Sequence, residues 1–116
     1  PENWDDVGLS LAGGAIVPVT NPQPARGDAL QTRRMADLTF DTLRARGARG
    51  VVVSEIEVAR AVAFAFRELK LAVEPGGAAA LAAAPAGQVD LAGKTVVVVL
   101  SGGNVEAEVF AACLAA

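Results

Sequence analysis

The chain has 116 residues, 53% of them hydrophobic and only 20% charged, and a net charge of −3. An acidic pI near 4.8 and the lack of any basic cluster speak against nucleic-acid binding. Histidine is absent, which excludes imidazole chemistry, and a lone cysteine, Cys113, excludes an internal disulfide framework and a cysteine-based zinc site.

In chain order, Asp5-Asp6 predicts the start of a short helix over Val7 to Ala12, stopped at Gly13-Gly14. Ile16 to Val19 reads as a short extended segment, and Pro18 assigns it to an edge or crossing strand. Thr20 to Gly27 is a proline-containing loop, and Asp28 to Thr32 shows no clear period. A helix follows from Leu38 to Arg46, ended by Gly47. Val51 to Val53 reads as a short buried strand. Ser54-Glu55-Ile56-Glu57 is a capping box, in which the serine hydroxyl takes the N–H three residues on and Glu57 reaches back. The helix it opens, Glu55 to Leu69, carries a broad apolar face that includes Ile56, Val58, Val62, Phe66 and Leu69. Leu71 to Val73 is an extended link, broken by Glu74-Pro75-Gly76-Gly77. Ala78 to Ala84 resumes as a small-residue helix, and Pro85 to Gly93 is a loop.

The next stretch, Thr95 to Asn104 (TVVVVLSGGN), organises the rest. Four consecutive valines and a leucine, without alternation, read as a strand buried on both faces of a parallel sheet. Ser101-Gly102-Gly103-Asn104 then turns the chain into a helix over Val105 to Ala116. Strand, glycine turn and helix make half a βαβ unit, so the expected fold class is α/β, a partial parallel sheet flanked by helices. Ligands of open α/β sheets collect at the carboxyl ends of such strands. Gly102 and Gly103 can adopt positive φ and admit a ligand to the backbone. Ser101 and Asn104 would present a hydroxyl and an amide there. The plain alternative is a tight turn capped by Asn104.

Three further features frame the candidates. Glu74, placed where an extended link meets a glycine turn, either caps the alanine-rich helix or supports a ligand site from behind. Asp5 and Asp6 are two acids in a turn, suited to starting a helix or, through oxygen ligands, to holding a hard cation. Cys113 lies in an apolar helical run and reads as a buried, inert thiol. The composition is apolar for so short a chain, which implies surface normally covered by another domain or subunit. No apolar run reaches about 18 residues, so no transmembrane helix is expected. With no signal peptide, a cytoplasmic setting is the default. Pro1-Glu2-Asn3-Trp4 opens as if within a loop, as a piece of a longer polypeptide would.

Glu74-Pro75-Gly76-Gly77 and Val99-Leu100-Ser101-Gly102-Gly103-Asn104 together resemble the C-terminal part of the pyridoxal-phosphate-dependent threonine/serine dehydratases and serine racemases, the tryptophan-synthase-β-like enzymes of fold type II. Pro1 to Asp6, Ile16 to Val19, Asp28 to Gln31, Val53 to Glu55 and Leu69 to Leu71 follow in the family's order. The resemblance therefore spans residues 1–116 as the C-terminal portion of one catalytic domain, with no separate regulatory domain. It implies an ammonia-lyase that converts a β-hydroxy amino acid to a 2-oxoacid and ammonia. It also implies that Ser101 hydrogen-bonds the cofactor's pyridine nitrogen, with Gly102, Gly103, Asn104, Glu74 and Ala29 around it. A hydroxyl cannot hold that nitrogen protonated as a carboxylate would, which suits elimination and racemisation. In the racemases, positions matching Asn104 and Lys70 contact an activating nucleotide. A divalent cation (Mg or Ca) is implied at the Trp4 carbonyl and the Asp6 carboxylate, with a further glutamate outside the chain. Ala29 stands where the racemases carry glycine, which favours a dehydratase over a racemase. The Schiff-base lysine and the phosphate loop match nothing here, so the chain alone is expected to be inert, needing the N-terminal part of its own enzyme and, by resemblance, forming a homodimer. The competing reading is a non-catalytic α/β interaction module.

Overall fold

The computed structural model describes all 116 residues. Five helices, α1 (Asp6–Gly13), α2 (Asp37–Ala45), α3 (Glu55–Arg67), α4 (Pro75–Ala82) and α5 (Ala107–Leu114), form a slab 39 × 36 × 20 Å, and a 3-10 turn lies at Asp28–Leu30. The centre is α3, against which α4 and α5 pack. Its buried residues Val58, Ala59, Ala61, Val62 and Ala65 meet Ala78 and Ala82 of α4, Cys113 of α5, and Val53 and Val73 from the extended segments. Alanines on both α3 and α4 leave short side chains between them, so the two helices pack closely. Phe66 and Phe110 add an edge-to-face pair at 5.3 Å, and the Arg67 guanidinium donates to the Leu114 carbonyl at 2.5 Å, tying α3 to α5.

The ends of the helices follow their capping chemistry. Ser54 Oγ accepts the Glu57 N–H at 3.3 Å while Glu57 Oε2 accepts the Ser54 N–H at 2.7 Å, so the predicted box is formed on both sides. Those bonds from the Ser54 backbone and hydroxyl hold the Glu57 carboxyl below its ordinary range. α1 runs close to its expected bounds and stops at Gly14, whose φ of 74° supplies the left-handed cap. Asp5 takes the N-cap position there without a side-chain bond to the helix. α4 begins at Pro75, three residues before the expected start, because proline at the first helical position loses no hydrogen bond. α3 ends at Arg67, short of Leu69. Lys70 turns left-handed at φ 61° and the Leu71 N–H returns to the Ala65 carbonyl. The Lys70 ammonium donates to the Arg67 carbonyl at 2.5 Å, a favourable place for a cation at a helix C-terminus.

The sheet expected from the sequence is not formed within this chain. Val51 to Val53 and Val96 to Leu100 contain no strand, and no backbone–backbone hydrogen bond involves Val96 to Leu100. A strand exists only by pairing with a neighbour, and these segments have none; Val53 alone accepts, from the Glu2 N–H at 2.9 Å. Ile16 to Val19 also forms no strand: the Val17 N–H donates to the buried Ser10 hydroxyl at 3.0 Å, and the Val19 N–H donates to the Arg33 carbonyl at 2.8 Å. The valines predicted to be buried on both faces are largely open: Val97 is 86% and Val99 68% exposed. Ile56 and Phe66 on α3 and Leu69 just beyond it are also nearly half exposed, so the predicted apolar face is only partly covered. The accessible surface is 7275 Å², against about 5,900 Å² for a free-standing monomer of this mass.

Candidate functional site

The two glycine motifs meet. The Glu74 N–H donates to the Gly102 carbonyl at 3.0 Å, and the Asn104 N–H donates to Glu74 Oε2, also at 3.0 Å. Between these bonds the backbones touch. A Cβ on Gly102 would lie 2.7 Å from Glu74 Cδ, one on Gly77 2.7 Å from the Gly102 carbonyl oxygen, and one on Gly103 2.7 Å from the Ala72 carbonyl oxygen. Neither Gly102 nor Gly103 has positive φ. The expectation that they are glycines for turn handedness is therefore corrected: they are glycines because protein fills the space where a side chain would go. The positions a Cβ would take are occupied by Glu74 and Ala72.

Glu74 occupies the N-cap position of α4, yet its side chain makes no capping bond. It crosses instead to the Ser101–Asn104 turn, so the expected capping bond is not made. Asn104 does not cap α5, which starts at Ala107 with Glu106 as N-cap. Its backbone is spent on Glu74. Ser101 is exposed, and its hydroxyl has no protein partner.

Ala29 joins the same cluster from the 3-10 turn. A Cβ on Gly76 would touch that of Ala29 at 3.4 Å, and one on Gly27 would sit 3.3 Å from Gly76 Cα. Three glycine turns thus stack, Gly27–Leu30 on Glu74–Gly77 on Ser101–Asn104, and the structure brings all six proposed cofactor residues into one neighbourhood. A recess of about 180 Å³ opens beside them, lined by Arg26, Asp28, Glu74, Asn104 and Glu106 among others.

Trp4 and Asp6 lie at the start of α1. The Trp4 indole N–H donates to the Gln23 carbonyl at 2.7 Å. Asp6 is only 2% exposed, and its Oδ2 has no hydrogen-bond partner. It lines a recess of about 500 Å³ with Asn3, Asp5 and Asn21, and a second, of about 280 Å³, that reaches Ala29. No three acidic, histidine or cysteine side chains converge there or elsewhere to enclose a metal. One orphaned carboxylate oxygen fits a cation only as a partial ligand set.

Sequence reasoning missed Glu55. Its Oε2 accepts the Arg26 N–H at 2.7 Å, and the Glu2 carboxylate accepts its own N–H at 3.2 Å, so it fastens the proline loop and the N-terminus to α3. The partners are 29 and 53 residues distant in the chain, and no local pattern marks them.

With this geometry in place, the comparisons with known proteins agree. Residues 1–102 match the family described as pyridoxal-phosphate dependent enzyme, and the chain belongs to that family. It is 32% identical over 111 residues to the L-threo-3-hydroxyaspartate ammonia-lyase of Saccharomyces cerevisiae, covering 96% of this chain and 34% of that protein. Serine racemase of Schizosaccharomyces pombe matches with the same identity and the same coverage. The crystal structure of a threonine deaminase from T.th. superposes with a TM-score of 0.80 at 35% identity, covering 91% of this chain and 38% of that one. The fold is that of a piece of the fold type II architecture. The chain spans about a third of the length of the relatives it matches. No helix is long and apolar enough to cross a membrane.

Proposed function

We propose that this chain forms the ring-nitrogen wall of a pyridoxal-phosphate-dependent ammonia-lyase acting on a β-hydroxy amino acid of the threonine or serine class. The observation that carries the reading is Ser101: a hydroxyl without a protein partner, exposed on a turn that two other glycine turns hold in place. When bound, the cofactor supplies an electron sink for the pair left at the substrate's α-carbon. Ser101 would hydrogen-bond its ring nitrogen without fixing a proton there. Ala29, exposed beside Gly76, would line the same cleft. The remainder of the polypeptide would bring the Schiff-base lysine and the phosphate contacts, and would pair with Val96 to Leu100; the assembled enzyme would be a homodimer.

A divalent cation at Asp6 Oδ2 and the Trp4 carbonyl, completed from outside this chain, is the second part of the proposal. Its support is the buried carboxylate oxygen that no donor meets.

The full-length protein tests the main reading. Ser101→Ala is expected to shift the absorption of the bound cofactor and to lower kcat for 2-oxoacid release from L-threonine or L-serine at least about tenfold, the loss of one hydrogen bond to a reacting system in a dry site. Unchanged absorption and unchanged turnover would refute it. The isolated chain is the blank, and with added cofactor it is expected to release 2-oxoacid no faster than the cofactor alone.

A further inference from the structure

We propose that Glu74 is a positioning residue: its carboxylate clamps the Ser101–Asn104 turn and thereby sets where the Ser101 hydroxyl stands. This rests on the reading of Ser101 above. The turn has few other restraints. Val96 to Leu100 leads into it without a backbone–backbone hydrogen bond, and α5 begins only at Ala107. Apart from its own Val105 N–H to Gly103 carbonyl bond at 3.1 Å, the turn is held by two bonds to one residue, from the Asn104 N–H to Glu74 Oε2 and from the Glu74 N–H to the Gly102 carbonyl, each 3.0 Å. They straddle Gly102 and Gly103, immediately after Ser101.

The fit leaves no slack. The Glu74 carboxyl lies where a Gly102 side chain would be, and Gly77 presses on the Gly102 peptide from α4. Any displacement of Glu74 is therefore passed to Gly102 and Asn104. Glu74 is itself anchored, because Pro75 and Ala78 behind it are buried, Ala78 in the α3–α4 core. The clamp links the helix layer to the turn by a side-chain bond, beside the backbone contacts of Gly77 and Ala72. Charge assists: a carboxylate accepts a backbone N–H more strongly than a neutral group does.

The test uses the full-length, cofactor-bound protein with Glu74→Met, which keeps the bulk and loses the acceptor, and Glu74→Gln, which keeps an acceptor oxygen. Two quantities are read, the amide exchange of Asn104 relative to the α3 amides and the dissociation constant of the cofactor. With Met, Asn104 is expected to exchange at least about tenfold faster than in the parent while α3 is unchanged, and the cofactor to bind about tenfold more weakly. With Gln, both should stay within about threefold of the parent. Acceleration shared equally by α3 would assign Glu74 a general stabilising role and overturn the proposal. So would Gln as damaging as Met, or fast Asn104 exchange with unaltered cofactor affinity. Should Met fail to fold, Glu74→Asp, one methylene too short to reach, replaces it under the same expectations. Ser101→Ala separates the two levels. If it alters the cofactor while Glu74→Met does not, only the clamp falls. If it leaves both absorption and affinity untouched, the reading beneath the clamp falls with it.

Discussion

Asp6 poses the sharpest question at the scale of single residues. A carboxylate only 2% exposed, with one oxygen lacking a donor, is costly unless something from outside the chain meets it. If that something is a divalent cation, binding only the folded state, it stabilises by mass action. The full-length protein is then expected to melt several degrees higher in millimolar Mg or Ca than in chelator, and Asp6→Asn should abolish the difference. Equal melting in both conditions would remove the cation. Ser101 and Asp6 stand out as candidates in the sequence, one from a strand-turn-helix pattern and a family motif, the other from a family resemblance at an acidic pair. Their partners do not. Nothing local says that Glu74 reaches Asn104, thirty residues on, instead of capping its own helix. The reason for Gly102 was also hidden, because a composition of glycines cannot distinguish a left-handed turn from a close approach.

At the scale of elements, the start of α3 is the best match between pattern and structure, because a capping box is specified by four adjacent residues. It also makes a pH-dependent contribution. Glu57 titrates below its ordinary value in the folded chain, so the folded state prefers it ionised. The resulting stabilisation is complete above the ordinary glutamate value of about 4.3 and is lost as pH falls through the lowered one. Corrected for intrinsic rate, the amides of the first turn of α3 should keep constant protection down to about pH 4.3 and lose it below. Glu57→Gln should lack that acid step. Ser54→Ala, which removes a cap worth about 1 kcal/mol, should speed the same amides about fivefold at neutral pH. An identical acid profile in Glu57→Gln and the parent would show that the box is not what titrates. Helix ends were less legible than helix centres. α4 starts three residues early on a proline, and α3 stops two residues early where Lys70 turns left-handed.

For the molecule as a whole, the valine run carries the argument. Its composition reads as the inside of a sheet, yet Val97 stands 86% and Val99 68% exposed, and a groove of about 370 Å³ lined only by apolar residues runs along Val96 to Val99, Val51, Ala80 and Ala83. The surface in excess of a free-standing monomer is about 1,400 Å², more than the roughly 800 Å² that each partner gives to a standard interface. The pattern predicts a strand buried on both faces, and the structure shows no strand there, since pairing is a property of two segments and cannot be read from one. The same residue should therefore behave oppositely in two contexts. In the isolated chain Val97 faces solvent, so Val97→Asp is expected to leave the helix content intact and to change stability by no more than about 0.5 kcal/mol, read from circular dichroism and denaturant unfolding. In the full-length protein, where the remainder of the polypeptide would pair with this segment, the same change buries a carboxylate among valines. It should cost about 3 kcal/mol or more and lower expression or melting temperature sharply. A substitution as well tolerated in the long protein as in the short one would mean that this edge remains open to water in both, and that the rest of the enzyme docks elsewhere.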